Sequence, residues 1–297
     1  MKAQEKIQQR PRLTGASVGI PPRHLNFKMP DNKTKYLVTN NATATMFLVM
    51  LSAFFPPGER FFVESVRHFR SRAKDPALKA AIAGFIGQEA IHSREHERLN
   101  KFLTERGFDT TFPEKAVAGG LWLLEKLSPR QKLACTTVME HFTALLSEAL
   151  LEDEALASLF DPEFLSIWQW HALEELEHKA VAYDLQELVG NDKKLRLQAS
   201  YFVAGALLPP VMISWLYLIA REGKLTDRKD LSTGLQLLLG KQGIVRRIIP
   251  KLPIYAARRF HPNKHDTTKL ENTWREKLFG DQGSLLSSWR NQPEVDI

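Results

Sequence analysis

Two short motifs constrain this chain more than any bulk property. They are Glu89-Ala90-Ile91-His92 and Glu175-Leu176-Glu177-His178, each inside a long helical pattern. Side chains at i and i+3 share one face of an α-helix, so each motif aims a carboxylate and an imidazole at a common point. One Glu-x-x-His is common by chance in helical proteins. Two, on separate helices, form the pattern of a dinuclear carboxylate site in a four-helix bundle, which also needs one Glu from each of the other two helices.

The helical frame around the motifs is legible. Asn40 to Phe55 reads as an apolar helix that Pro56-Pro57-Gly58 should end, with an amphipathic helix restarting from Glu59 to Ala73. Helical patterns follow from Ala77 to Arg106, from Ser128-Pro129 to Glu152 and from Asp161-Pro162 to Val189. The Ser-Pro and Asp-Pro pairs each supply an N-cap and a proline at the first helical position. No alternation of period two is long enough for a strand, so the expected fold class is all-α. The expected organisation is an extended arm at 1–39, a metal-binding helical bundle at 40–190 and a helical extension at 191–297.

The two missing carboxylates follow from hairpin geometry, because residues at equal depth on antiparallel helices lie equally far from the turn. The first turn, near Asp75, pairs the Glu89 motif with Glu59, with Glu64 as the rival. The second loop, Asp153 to Asp161, pairs the Glu175 motif with Glu140 rather than Glu148. The candidate metal ligands are therefore Glu59, Glu89, His92, Glu140, Glu175 and His178. His171, Glu175 and His178 stand at i, i+4 and i+7 on one helical face. Four carboxylates with imidazoles suit two divalent ions, iron first, with manganese and zinc as alternatives. His96 is a weaker candidate, His68 and His141 read as ordinary, and Asp184 is a candidate to orient a ligand histidine. Trp122, Trp168, Trp170, Phe61 and Phe62 read as core, and Glu174 and Glu177 as surface charge or support for the ligands.

Several classes are excluded. With one cysteine, Cys135, the chain forms no internal disulfide and holds no cysteine-ligated zinc or iron–sulfur cluster by itself. It has no phosphate-binding glycine loop, nucleophile elbow or zincin motif. Electrons for any oxygen chemistry would have to come from an external donor. Met1 to Arg12 has no apolar stretch of the secretory type, so a cytoplasmic location is expected. The net charge of +7 is concentrated between Arg221 and Lys277, with 14 Lys/Arg against 6 Asp/Glu. Just before it, Ala199 to Ala220 carries no charge. The favoured expectation for this run is a buried helix pair kinked at Pro209-Pro210; the alternative is membrane insertion, partial or spanning. Within that alternative, peripheral or re-entrant association at an anionic surface, here the cytoplasmic face, is preferred over spanning because of the proline break. No nucleic-acid partner is expected.

The segments FFPPGERFFVESVRHF, FIGQEAIHSREH, MEHFTALLSEALL and WQWHALEELEHKAVAYD resemble the bacterial family called predicted metal-dependent hydrolases, placed among ferritin-like proteins. The resemblance runs from Asn40 to Leu188, implies a ferritin-like bundle and favours Glu59 over Glu64. The His-x-x-x-Glu-x-x-His spacing of His171, Glu175 and His178 is similar, more distantly, to that of di-iron aryl-amine N-oxygenases, a resemblance that implies His171 as a further metal ligand. The functional expectation is a di-iron oxidase or oxygenase acting on an apolar or amphipathic small molecule. A dinuclear hydrolase is the alternative, and a non-enzymatic membrane- or partner-binding protein with structural metals is a second.

Overall fold

A Pro-Pro pair ordinarily ends a helix, yet α1 (Ala42–Phe69) runs on through Pro56 and Pro57. The expected break before Glu59 does not occur, and the reason is local. Pro56 has no N–H to offer the Ser52 carbonyl one turn back. Asn100 takes its place, donating from Nδ2 to that carbonyl at 3.1 Å, while Ser52 Oγ donates to Asn100 Oδ1 at 2.7 Å. A neighbouring helix thus repairs the ladder at Pro56.

The computed structural model describes residues 14–29 and 35–292; the parts of the expected arm at 1–13 and 30–34 lie outside the described residues. The remaining helices are α2 (Pro76–Glu105), α3 (Thr111–Glu125), α4 (Pro129–Glu152), α5 (Glu154–Ala157), α6 (Pro162–His178), α7 (Val181–Val189), α8 (Lys193–Arg221), α9 (Arg228–Leu239), α10 (Ile244–Ile248) and α11 (Thr268–Phe279). Among the described residues the only β pairings are isolated bridges. The protein is all-α. Asp75, Ser128 and Asp161 cap α2, α4 and α6 by accepting from backbone amides, each just ahead of a proline in the first turn.

Helices α1, α2, α6 and α4 pack around a common axis in that cyclic order. Two differences from the sequence expectations concern the outer helices. The helix expected to reach Val189 stops at His178, and a turn at Lys179-Ala180 lets α7 pack on α2 and α4. The Lys179 ammonium is held there by the His265 carbonyl at 2.9 Å. The expected kinked and buried pair around Pro209-Pro210 is one helix, α8, that covers α1, α3 and α4 with one face and exposes the other. Pro209 frees the carbonyl of Gly205, which lies at the exposed surface, where an unpaired carbonyl costs least.

The apolar core is divided in two. One cluster holds Met46, Met50, Leu99, Leu103, Ile167 and Trp170, and the other Phe61, Phe85, Leu133, Cys135, Val181 and Leu185. Between them, at one depth, sit the buried polar residues of α1, α2, α4 and α6. Trp168, Phe61 and Phe62 are buried, but Trp122 is 55% exposed and belongs to no core. Residues 14–29 lie across α2, admitted by two glycines: a Cβ on Gly84 would stand 2.5 Å from the Ile20 carbonyl oxygen, and one on Gly87 2.5 Å from Pro22. The C-terminal segment clasps this strap through Asn26 N–H to Ser288 O and Arg290 N–H to His24 O.

Replacing Asn100 by Ala should strand the Ser52 carbonyl in the core and take away the acceptor of the Ser52 hydroxyl proton, while His96 still donates to that hydroxyl. The expected loss is about 1–3 kcal/mol of unfolding free energy, read from urea denaturation. An unchanged midpoint would show that Pro56 is tolerated without the repair.

Candidate metal centre

Four helices deliver seven buried side chains to the polar layer: Glu59 from α1, Glu89 and His92 from α2, Glu140 from α4, and His171, Glu175 and His178 from α6. Their donor atoms fall into three overlapping sets, Glu59/His92/His171, Glu89/His92/Glu175 and Glu89/Glu140/His178, with all atoms of a set within 4.8 Å of one another. Each set has the composition and spacing to hold a metal ion. His178 Nε2 lies 3.1 Å from Glu89, 3.5 Å from Glu140 and 3.6 Å from Glu175. His171 Nε2 lies 3.0 Å from Glu175 and 3.7 Å from Glu59, and His92 Nδ1 3.7 Å from Glu175.

The other candidates lie elsewhere. Glu64 is exposed. Glu148 is committed to Lys251 and His265. Asp184 bonds His261 at 2.8 Å on the outside of α7, so it orients none of these imidazoles; the turn at Lys179-Ala180 separates its helix from the motif.

The chemistry of the donor set can be tested against the hydrogen bonds it makes. Nine buried atoms here have no hydrogen-bond partner: both carboxylate oxygens of Glu59, Glu89 and Glu140, Glu175 Oε2, His92 Nδ1 and His178 Nε2. Buried polar atoms are nearly always paired, and buried charge is paired or bound to metal. Convergent, unpartnered oxygen and nitrogen donors fit divalent cations.

A surrounding network fixes which nitrogen of each imidazole faces the centre. His92 Nε2 bonds Glu174 at 3.0 Å, and Glu174 is held by Arg23 of the strap at 2.8 Å. His178 Nδ1 bonds Gln88 Oε1 at 3.0 Å, and the Gln88 amide donates to Glu177 and to the Pro21 carbonyl. Glu177 is clamped by Arg23 and Arg275. Burial and the charge of His171 hold His96 well below its ordinary range, so it keeps one donor and one acceptor nitrogen. Because Ser52 gives its proton to Asn100, His96 Nδ1 must donate to Ser52 at 3.0 Å. His96 Nε2 then accepts from His171 Nδ1 at 2.7 Å, leaving His171 Nε2 turned toward Glu59 and Glu175.

Sequence reasoning missed Arg23, Gln88, Ser52 and Asn100, yet a signal exists for part of this set. The residue immediately before each motif glutamate anchors the histidine of the other motif: Gln88 precedes Glu89 and holds His178, and Glu174 precedes Glu175 and holds His92.

Burial shifts the titrating groups strongly. Desolvation, then the charges of Glu89 and Glu175, push Glu59 well above the usual carboxylate range. Burial raises Glu140 and Glu89 too, with the charge of Glu175 adding to it. Burial opposes the charged form of His178, but Glu175, Glu89 and Glu140 overcome it and hold the imidazole well above its ordinary value. Without metal, protons supply the compensating positive charge.

An all-α bundle carrying a buried carboxylate–imidazole centre able to bind metal defines the class. Residues 21–266 match the sequence profile of the family described as predicted metal-dependent hydrolase, and the chain belongs to that family. The match extends beyond the bundle to the strap that carries Arg23 and through α8. Comparison with curated proteins and with solved structures finds no match.

Two outcomes follow from this geometry. Glu174→Ala should weaken metal binding by about 10–100-fold, as loss of such supporting carboxylates does, whereas Asp184→Asn should leave it unchanged; competition with a chelating dye measures both. Equal affinities in the two variants would remove Glu174 from the centre.

Metal uptake should also release protons, since Glu59, Glu89, Glu140 and His178 have raised proton affinities and must lose their protons to bind. Apparent affinity therefore rises with pH. Titration against a pH-indicating dye reads this directly, and a pH-independent affinity would contradict it.

Proposed function

We propose that the protein is a dinuclear metal-dependent hydrolase acting on a small molecule with an apolar portion. The carrying observation is the set of nine unpartnered donor atoms converging in one buried layer. Glu59, His92 and His171 form one end of the layer and Glu140 and His178 the other, with Glu89 and Glu175 between them. Glu89 belongs to two of the sets and is the natural shared carboxylate. When bound, two divalent ions would polarise a carbonyl or phosphoryl group and acidify an attacking water. The chain holds the ligand imidazoles by Glu174, Gln88 and His96, and it keeps bulk water away with Phe85, Phe55, Trp168 and Trp170.

An apolar portion of the substrate is supported by the same surroundings. The Phe55 ring lies 4.6 Å from His171, and Trp168 is 5.9 Å from Phe55. Trp168 also lines a cavity of about 40 Å³ whose walls are all apolar, among them Phe47, Leu51, Leu150 and Leu238, and which none of the seven polar-layer side chains borders. An ester, amide or phosphoester with an aliphatic or aromatic group fits this division between polar layer and greasy wall.

One observation favours a second reading, an iron oxidase or oxygenase. His171 adds a third imidazole, and nitrogen donors suit iron. That reading needs an external electron donor.

Metal analysis and metal exchange separate the two. The protein is expected to bind two ions per chain, and Glu89→Ala or Glu175→Ala to fall below one with helical content retained. Hydrolysis of an ester and phosphoester panel by zinc- or manganese-loaded protein supports the first reading. Oxygen consumption confined to the iron form, with no hydrolysis, would replace it by the second. Full stoichiometry in both variants would remove the dinuclear site itself.

A further inference from the structure

Two helices are long and apolar enough to cross a bilayer, and they differ in one respect. In α1 the most apolar 18-residue window has mean hydropathy 1.3 and is 72% buried, as a core helix should be; in α8 the window reaches 1.9 and is 28% buried. The more apolar helix is the one left outside. Its exposed residues form one broad face, with Tyr201 75% and Leu208 60% accessible in line with Met212 and Leu216, and Ile213, 55% accessible, at one edge of it. The spacing from Tyr201 through Leu208 and Met212 to Leu216 follows a single helical face. Helix α3, which meets α8 where Gly120 approaches the Ala206 carbonyl, exposes Trp122 and Leu123 as well. Contiguous exposed apolar surface of this kind marks an interaction site.

Charge says what covers it. Helix α8 contains no acidic residue; its charges are Lys193, Lys194 and Arg196 near the start and Arg221 at the end. The acidic residues near its C-terminal end are committed internally: Glu222 to Lys35 and Tyr36, Asp227 to Lys224, Asp230 to Asn41 and Thr43, and Asp109 to Arg221 and Tyr217. At the N-terminal end Asp192 caps the helix and pairs with Arg130, and Glu187 accepts from Asn191, so exposed Lys193 and Lys194 adjoin the apolar stripe there. Arg228 and Lys229 are exposed on α9, just beyond the C-terminal end of α8. A second copy of this face, antiparallel or parallel, would set cations against cations at both ends. A sheet of anionic headgroups over an apolar interior complements both the ends and the middle.

We propose that α8 lies flat on an anionic lipid surface, its Tyr201–Leu216 stripe in the interfacial layer and its basic ends on the headgroups. A spanning role is excluded by the other face, which buries Arg196 and fastens Trp215 Nε1 to the Thr43 carbonyl of α1 at 3.0 Å.

Flotation of the full chain with phosphatidylcholine vesicles, with and without phosphatidylserine, tests this. Binding is expected to the anionic vesicles, weakened by salt. Leu208→Glu with Ile213→Glu should reduce it roughly tenfold or more while circular dichroism and metal content stay as in the parent. Lys193→Glu with Lys194→Glu should reduce it on anionic vesicles. Failure to float with either vesicle, or full binding by the folded double-glutamate variant, would overturn the proposal. So would a concentration-dependent dimer, seen by sedimentation, that the double-glutamate substitution abolishes, because the stripe would then be covered by a second copy.

Discussion

Placing four carboxylates in a dry helical interior is the costly act on which the rest of this structure depends. Each buried ion loses several kcal/mol of hydration, and a bundle of this kind could be filled by leucines at no such cost. Glu59, Glu89, Glu140 and Glu175 stay buried because they face one another across a layer that positive charge must occupy. The division of the apolar core into two clusters follows from this. Leucine, isoleucine and aromatic side chains above and below the layer supply the folding energy that the layer itself does not.

The support for the layer comes from outside the four helices. Arg23 arrives on the N-terminal strap and Arg275 on α11, and they meet at Glu177, the residue between Leu176 and His178 of the second motif. Gln88 also reaches Glu177, so a single carboxylate joins the strap, the C-terminal helix and the anchor of His178. The strap and α11 are thereby coupled to imidazole orientation. The family match, residues 21–266, takes in Arg23 of the strap and ends before α11.

The helical class was readable from periodicity and caps, because Asp75, Ser128 and Asp161 act through the residues immediately after them. Hairpin depth points to Glu59 and leaves Glu64 as a rival, since antiparallel packing makes depth a sequence quantity but not to within one turn; the family resemblance favours Glu59. What could not be read was whatever depends on a partner distant in the chain. Pro56-Pro57 looked like a helix end because the Asn100 repair comes from another helix. The burial of Arg23 depends on Glu174 and Glu177, far along the sequence. The exposure of α8 was misread because hydropathy measures what a residue prefers, and here one whole face is denied its preference by the fold.

The two Pro-Pro pairs show how the same local defect serves different ends. In α8 the Gly205 carbonyl freed by Pro209 lies at the surface, while the Ala206 carbonyl freed by Pro210 faces Gly120 of α3. In α1 the defect is buried, and the Asn100 that answers it also receives the Ser52 proton. That choice propagates: Ser52 must accept from His96, His96 must accept from His171, and His171 must present Nε2 to Glu59 and Glu175. A missing amide hydrogen three residues before Glu59 thus orients an imidazole on a different helix. An all-helical bundle has few buried backbone groups to spare for such work, and proline creates one at the depth where the polar layer needs it.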